Sequence, residues 1–548
     1  MQVLKVHPDD NVLVALSDLA PGSQVIHEGE TYALGTGVKA KHKIVTRDLA
    51  DGDAVVMYGV LVGRAVGSIA RGLAVTTENV VPATQDYGAS DRTYSWQAPD
   101  VSAWRGRHFM GYHRSDGQVG TANHWLVIPL VFCENRNVNV LADAFRKELG
   151  YAQPDVYRQQ VAELVGRHRQ GADAAALREH APPSDKPDAT PHRVFTNVDG
   201  IEFLTHEGGC GGTHQDSRTL AALFAGYIHN PNVAGATILS LGCQGAQVEM
   251  LREELKDRSP HCDKPLLVFE QQQSASVYAM LTEAIHETFA ALSEANALER
   301  APASLDRLTI GVECGGSDGF SGISANPTFG RVSDLVVALG GKAILSEFPE
   351  LAGVEQELVD RCVSPDVADR FMRLMRTYAE RAAAVDAGFE MNPSPGNIRD
   401  GLITHAMKSA GAAKKGGTSP VTAVLGYPEY ATRPGLNLLC TPGGDVQSTT
   451  GLSGAGANVT LFSTGMGTPT GNPITPVIKV STNTSLARRL PDIIDFDTGA
   501  IMTGEKTIET AGEELLDLVV RVASGEVQPR AVGLGQNDFI PWKQGISL

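Results

Sequence analysis

The chain has 548 residues, 42% of them apolar and 20% charged, which is material for buried cores in about three domains and rules out a chain disordered throughout. Its 46 basic residues stand against 63 acidic ones, a net charge of −17 at pH 7, and this argues against broad binding to nucleic acid or to an anionic membrane surface. A small anionic substrate stays open, because a pocket can be locally positive on an acidic protein.

Residues 1–80 read as a small β-rich domain: short alternating runs such as NVLVAL and AVVMYGVLVG are separated by turn signals at Pro21-Gly22 and Asp51-Gly52. The start, MQVLKVHPDDN, has no basic segment leading into an apolar one, so no signal peptide is expected. His42 lies in Lys41-His42-Lys43, where flanking cations would lower an imidazole pKa and favour a neutral base. The plainer alternative is an exposed loop histidine. Residues 81–106 are polar and aperiodic, a linker.

Residues 107–300 alternate buried-strand runs (WLVIPLVFC, ATILSLGC, PLLVFEQ) with helical stretches, the pattern of an α/β region with a mainly parallel sheet. The charged segment 155–190 reads as a surface helix followed by a loop. The longest apolar runs are about ten residues, against the ~20 that a membrane span needs. Residues 301–548 repeat the α/β pattern, with TIGVECGG and KAILSEF as strand ends and 354–388 and 508–524 as helices. The seven cysteines are thinly spread, which suggests free or ligating thiols in a reducing, cytoplasmic compartment.

In open α/β sheets, ligands bind beyond the carboxyl ends of strands. Three such ends carry a thiol beside glycine: Cys210 in HEGGCGG, Cys243 in GCQG and Cys314 in ECGGSDG. Converging thiolates would suit iron or an iron–sulfur cluster; the alternative is that cysteine is simply a small buried residue. Ser317, Asp318, Ser321 and Asn326 lie in a segment dense in hydroxyl, carboxylate and amide groups that could bind a polyol, or form a turn with Ser321 or Asn326 as a helix cap. Asn397 ends the turn cluster NPSPGN, Lys408 follows, and Thr468, Lys479 and Asn483 form the last polar group. Either lysine could anchor a carboxylate or act as a base, or lie solvated on the surface. Glu347 and Glu350 in SEFPEL could be paired carboxylates; the reading favoured is a helix start with acids near its positive end.

Taken in order, KVHPDDNVLVAL, KHKIVTRDLADGDAVVMYG, GYHRSDGQVGTAN, GVECGGSDGFSGISANP, NPSPGN, STGMGTPTGNP, VIKVSTN and IDFDTGAIMTG resemble the altronate dehydratase and galactarate dehydratase family over nearly the whole chain. The resemblance implies an N-terminal SAF domain and a hydro-lyase that removes water from an aldonate or aldarate to give a 2-keto-3-deoxy acid. It implies a divalent metal, Fe2+ first and Mn2+ second, with an iron–sulfur cluster still open. Cys210, Cys243 and Cys314 are the ligand set expected on this basis. His42, His206, Lys408 and Lys479 are the expected catalytic groups, and Asn123, Ser317, Asp318, Ser321, Asn326, Asn397, Thr468 and Asn483 would hold substrate. The leading substrate is an altronate-type aldonate. The rivals are galactarate or another sugar acid, a related lyase that expels a different leaving group, as in sulfolactate sulfo-lyase, and a non-catalytic binding protein. The partner expected is the small sugar acid, with no nucleic acid and no membrane; a homo-oligomer is compatible with this reading.

The chain departs from the family pattern in places. GTRN or GTKN becomes Gly120-Thr121-Ala122-Asn123, GCE becomes Gly242-Cys243-Gln244, and TGRGTP becomes Thr464-Gly465-Met466-Gly467-Thr468-Pro469. A His-rich HTHN of the altronate branch becomes Thr76-Thr77-Glu78-Asn79. An arginine fork is the usual partner of a carboxylate, so its loss at Met466 bears directly on the choice of substrate.

Overall fold

The computed structural model describes residues 2–90, 92–153, 156–181, 192–260 and 263–548. A β-rich N-terminal unit precedes two α/β regions built on parallel sheets. In the N-terminal unit, Val12–Ala15 pairs antiparallel with Val3–Leu4 and with Lys43–Val45. Side chains alternate across a strand, and this strand is buried on both faces. Leu13 and Ala15 enter a small core with Leu19, Val25 and Ile44. Val12 and Val14 enter a larger one shared with Phe320, Phe348 and Met407 of the C-terminal region. The linker is extended and strapped down: Gly88 N donates to Gln356 at 2.9 Å, and the Tyr94 hydroxyl donates to the Thr418 carbonyl at 2.6 Å.

The first sheet has four parallel strands, β1 (His124–Pro129), β2 (Gly200–Phe203), β3 (Val233–Ser240) and β4 (Leu266–Glu270), in the order β2-β1-β3-β4. Its helices are α1 (Asn135–Glu148), α2 (His214–His229), α3 (Val248–Arg258) and α4 (Val277–Ala295). Trp125 and Val127 pack with residues of α1 and α4, while Leu126 and Ile128 pack with residues of α2 and α3. Burial on both faces explains the unbroken apolar run in the sequence. Val156–Arg169 is a helix with no buried residue, as a surface insertion should be. Most of the loop expected after it lies outside the described residues.

The second sheet holds β5 (Thr309–Cys314), β6 (Lys342–Leu345), β7 (Val421–Leu425), β8 (Gly435–Leu439), β9 (Val459–Thr464), β10 (Val477–Ser481) and β11 (Phe496–Asp497). All are parallel, in the order β7-β8-β6-β5-β9-β10-β11. Its helices are α5 (Ala325–Ala338), α6 (Pro365–Ala383), α7 (His405–Ala412), α8 (Asp445–Gly454) and α9 (Ile508–Ala523). The single helix expected over 354–388 is two, Glu355–Asp360 and α6. Ser364 and Pro365 restart the chain as N-cap and first helical residue, Ser364 Oγ accepting from Val367 N at 3.4 Å. The chain leaves β5 toward β6 on one side and later returns to β9 on the other. The crevice of this sheet therefore opens at the carboxyl ends of β5 and β9. Among the described residues, no helix is long and apolar enough to cross a membrane.

Candidate metal centre and the strand ends around it

Cys314 ends β5, and Glu347 and Glu350 follow β6. These three buried residues bring one ligand atom each within 4.8 Å of one another. The juxtaposition depends on Glu347, whose φ of 67° is left-handed, a conformation that costs a non-glycine residue about 1–3 kcal/mol and concentrates at functional sites. Phe348–Leu351 is a single 3-10 turn, and both carboxylates face the thiol. Both readings of these acids hold: Glu347 is the N-cap of this turn and Glu350 lies within it, and the two also converge as a pair on the thiol. Cys314 Sγ lies 3.3 Å from Glu350 Oε2 and 2.9 Å from Lys415 Nζ, which also donates to Glu347 Oε2 at 2.6 Å. Lys408 Nζ reaches Glu350 at 2.7 Å and Asn392 Oδ1 at 2.9 Å.

Burial pushes the Cys314 thiol well up, and the Glu350 charge adds to this, so the group is a thiol as it stands. Burial and the Glu350 charge also raise the Glu347 carboxyl, to about 7. Burial acts on Glu350 in the same sense, but Lys408 and Lys415 outweigh it and hold that carboxylate ionised. Glu347 Oε1 is buried with no hydrogen-bond partner. A soft sulfur with two carboxylates and one orphaned oxygen is a donor set that fits a borderline divalent cation. Binding there would displace the thiol proton.

The expected site residues sort into distinct groups. Of the three thiols, Cys314 sits in this cluster. Cys210 and Cys243 are exposed on two touching loops of the first α/β region, Gly245 N donating to Gly209 O at 2.8 Å. The three sulfurs do not form a cluster of that kind among the described residues. His206 is buried, with Nε2 2.7 Å from the Pro129 carbonyl and Nδ1 accepting from Gly208 N at 3.0 Å. It lines a cavity of about 650 Å³ with Cys210, Asp216, Gln447 and Trp542. Through Gln447 this cavity borders the first turn of α8, whose Asp445 presses on Gly315: a Cβ there would collide with the Asp445 carboxylate and the Phe462 ring.

Lys408 and Lys479 are buried, not surface lysines. Lys479 Nζ has no hydrogen-bond partner and stands 3.3 Å from the Phe462 ring centroid. Burial lowers its pKa to about 7 against the attraction of Asp445 and Asp495. His42 is half-buried with Nε2 3.2 Å from the Arg399 carbonyl. Its pKa is lowered, by burial more than by the charges of Lys43 and Lys39; of the two flanking lysines that the sequence suggested, Lys43 contributes.

Most of the expected substrate-binding side chains already spend their hydrogen bonds on the protein. Asp318 accepts from Phe320 N, Ser321 Oγ and Thr482 Oγ1 and pairs with Lys41 Nζ at 3.1 Å. Asn326 lies inside α5, donates to Gly411 O and accepts from Ser463 Oγ; neither it nor Ser321 caps the helix, whose N-cap is Ser324. Asn397 caps its own turn and donates to Ser317 O, and Asn483 caps the helix Thr484–Arg489. Asn123 bridges Asn197, Ala295 and Arg114 in the first α/β region, away from Cys314. Thr468 donates its backbone N–H to Thr464 Oγ1. Ser317 Oγ, buried and unpartnered, stays free to meet a ligand. Lys415 and Asp445 were not singled out from the sequence, and Asn392 and Lys41 entered only as neighbours of Asn397 and His42. Lys415 sits in KKGG, where nothing local signals burial, and only tertiary contact shows it buried.

The whole chain also matches known proteins. Residues 1–83 match the altronate/galactarate dehydratase SAF domain, and residues 111–296 match the second domain of D-galactarate dehydratase/altronate hydrolase. Residues 305–547 match the C-terminal domain of D-galactarate/altronate dehydratase. The chain is 33% identical to altronate dehydratase of Escherichia coli (strain K12) over 100% of both chains. It is 30% identical to altronate dehydratase of Bacillus subtilis (strain 168), over 100% of this chain and 99% of that one. Galactarate dehydratase (L-threo-forming) of E. coli (strain K12) is 28% identical over 95% and 93%. With all three domains accounted for and a thiol–carboxylate cluster at the crevice of the second sheet, this chain belongs to the altronate/galactarate dehydratase family of hydro-lyases.

Proposed function

We propose that the protein carries out metal-dependent dehydration of a sugar acid, an altronate-type aldonate, to the 2-keto-3-deoxy acid. The observation that carries this reading is the buried Cys314–Glu347–Glu350 cluster, flanked by Lys408 and Lys415 at the carboxyl ends of β5 and β6. The cation is read as Fe2+, with Mn2+ second, held by those three side chains. When bound it supplies Lewis acidity to a substrate oxygen.

Removal of water α,β to a carboxylate needs a base for the C2 proton, a proton for the departing C3 hydroxyl, and stabilisation of the charge between. Lys479, neutral above about pH 7, takes the C2 proton. The electron pair of the broken C2–H bond forms the C2–C3 double bond as the C3–O bond breaks, and the hydroxyl leaves as water with a proton from the Lys408 ammonium. The enol then tautomerises to the 2-keto acid. Ser317 Oγ offers a free hydrogen bond to a substrate hydroxyl. His42, half-buried against the Arg399 carbonyl, is read as a second group able to carry a proton. Galactarate or another aldarate is the second reading, favoured by a free arginine at the mouth of the crevice.

The test is anaerobic purification, assay of iron and sulfide, and a panel of aldonates and aldarates assayed for 2-keto acid with iron or manganese added. Stoichiometric iron without sulfide, lost in Cys314→Ser and kept in Cys210→Ser and Cys243→Ser, is the expected result. Acid-labile sulfide lost with Cys210 or Cys243 would replace this centre with a cluster. A panel without product would end the dehydratase reading.

A further inference from the structure

An anionic substrate needs a cation that is free to meet it. Among the described residues, several cations stand at the mouth of the second sheet, and most are paired or enclosed; Lys39 is exposed beside His42. Lys408 pairs with Glu350 and Lys415 with Glu347. Lys41 pairs with Asp318 at 3.1 Å and Asp400 at 2.7 Å. Lys43, wholly buried, donates to the carbonyls of Lys41 and Gly401. Lys479 is enclosed against the Phe462 ring.

Arg399 stands at the end of the short helix Pro395–Arg399. Its side chain is exposed, and its guanidinium has neither an ion pair nor a hydrogen bond among the described residues. It belongs to the rim of the crevice because its carbonyl faces His42 Nε2, and because Asn397, on the same turn, bonds Ser317. The guanidinium also has a defined neighbour. The spot that a Cβ on Gly396 would fill lies 3.7 Å from an Arg399 terminal nitrogen, 3.7 Å from Ser394 Oγ and 3.9 Å from Met466 Cε. Met466 is thus the apolar wall beside a free guanidinium, in the loop that follows β9.

We propose that Arg399 is a specificity-determining residue that binds the far-end carboxylate of a six-carbon aldarate, so that the enzyme accepts such a diacid alongside the aldonate ending in CH2OH. The inference rests on the dehydratase reading and deepens it. The segment that carries Arg399 starts at Asn392, which touches both Glu350 and Lys408. One end of a sugar acid at the thiol–carboxylate cluster therefore directs its other end along this segment toward Arg399. A guanidinium meets a carboxylate with two parallel hydrogen bonds and offers a primary alcohol much less. The missing Cβ of Gly396 leaves space for about one atom between Ser394 Oγ and the methionine end, beside the fork.

The experiment compares galactarate and altronate on the metal-loaded wild type, Arg399→Gln, Arg399→Lys and the double variant Arg399→Gln/Met466→Arg, with circular dichroism to confirm folding and calorimetry of galactarate binding. In Arg399→Gln, KM for galactarate rises ten- to a hundredfold while kcat for galactarate falls much less, and the galactarate-to-altronate ratio of kcat/KM drops by a similar factor. Arg399→Lys recovers part of the loss, and the double variant recovers more by returning the fork to the same gap. Unchanged galactarate KM in Arg399→Gln overturns the proposal, as does a double variant no better than Arg399→Gln. A wild type that binds galactarate without dehydrating it, with the affinity lost in Arg399→Gln, upholds the proposal and removes the dehydratase reading. A wild type that neither binds nor turns over any acid removes both.

Discussion

Lys479 puts the chemistry of one residue under test. Its amine has no hydrogen bond, is enclosed in the second sheet, and has a pKa lowered to about 7 by burial. A base works deprotonated, so kcat/KM of the wild type rises with pH through about 7. Lys479→Met loses that acid limb along with ~10²- to 10⁴-fold in kcat, as a pH–rate profile would record. Stability moves with the same proton. The unfolded chain keeps the lysine charged up to about 10.5 and the folded chain only below about 7, so wild-type stability rises with pH between those values. Lys479→Met therefore melts above the wild type at pH 7, with the gap closing toward pH 10. Glu202 gives the opposite sign. Burial raises its carboxyl to about 7, so the folded chain holds a proton that the unfolded chain gives up near 4.5, and stability falls as pH climbs between the two. Glu202→Gln can still accept from Asn537, as Glu202 does at 2.7 Å. Its melting temperature should exceed that of the wild type at pH 8 and match it at pH 4.5.

The elements explain why some of this could be read from the chain and some could not. Apolar runs ending in glycine and thiol marked β5, and the motif after β9 marked its partner, because a strand buried on both faces must break into polar loop at a ligand crevice. SEFPEL offered Glu347 and Glu350 as a pair, but nothing local decided for it, since the left-handed turn at Glu347 is imposed by tertiary contact, including the Thr441 hydroxyl that accepts its N–H at 2.8 Å. Asp318 and Asn326 looked like ligands for a polyol because loop-building and ligand-binding residues share a composition; their bonds go to Thr482, Ser463 and Gly411 instead. The turn Ala40–Lys43 shows how tightly one element can register on another. Lys41 is left-handed at φ 76°, and a Cβ on Gly319 would lie 2.5 Å from its carbonyl oxygen and 2.8 Å from its Cβ. Gly319→Ala must pry this turn away from β5's loop. A cost of about 1–3 kcal/mol in denaturant unfolding, with reduced kcat, is the expected outcome; wild-type stability would mean that the turn is not held there.

At the scale of the molecule, the small N-terminal domain and the second sheet behave as one body. Val12, Val55, Met57 and Val62 lie in the same apolar cluster as Phe320, Phe348 and Met407, while the first sheet packs into two other clusters, one of which takes in Ile474 of the C-terminal region. Units joined by a large apolar interface unfold together, whereas a small polar interface leaves domains free to open alone. Polar contacts reinforce the union: Lys41 reaches Asp318 and Asp400, and Thr404 Oγ1 donates to Val62 O at 2.6 Å. Native-state hydrogen exchange should therefore show the amides of Val12–Ala15 and Lys43–Val45 opening at the same free energy as those of β5 and β6. Lys41→Met removes a cation from two carboxylates, one of them fully buried, and should lower both sets equally. If instead the N-terminal strands exchange at a much lower free energy than β5, the domain moves as a lid on a hinge, and His42 and Lys41 reach the crevice only in its closed position.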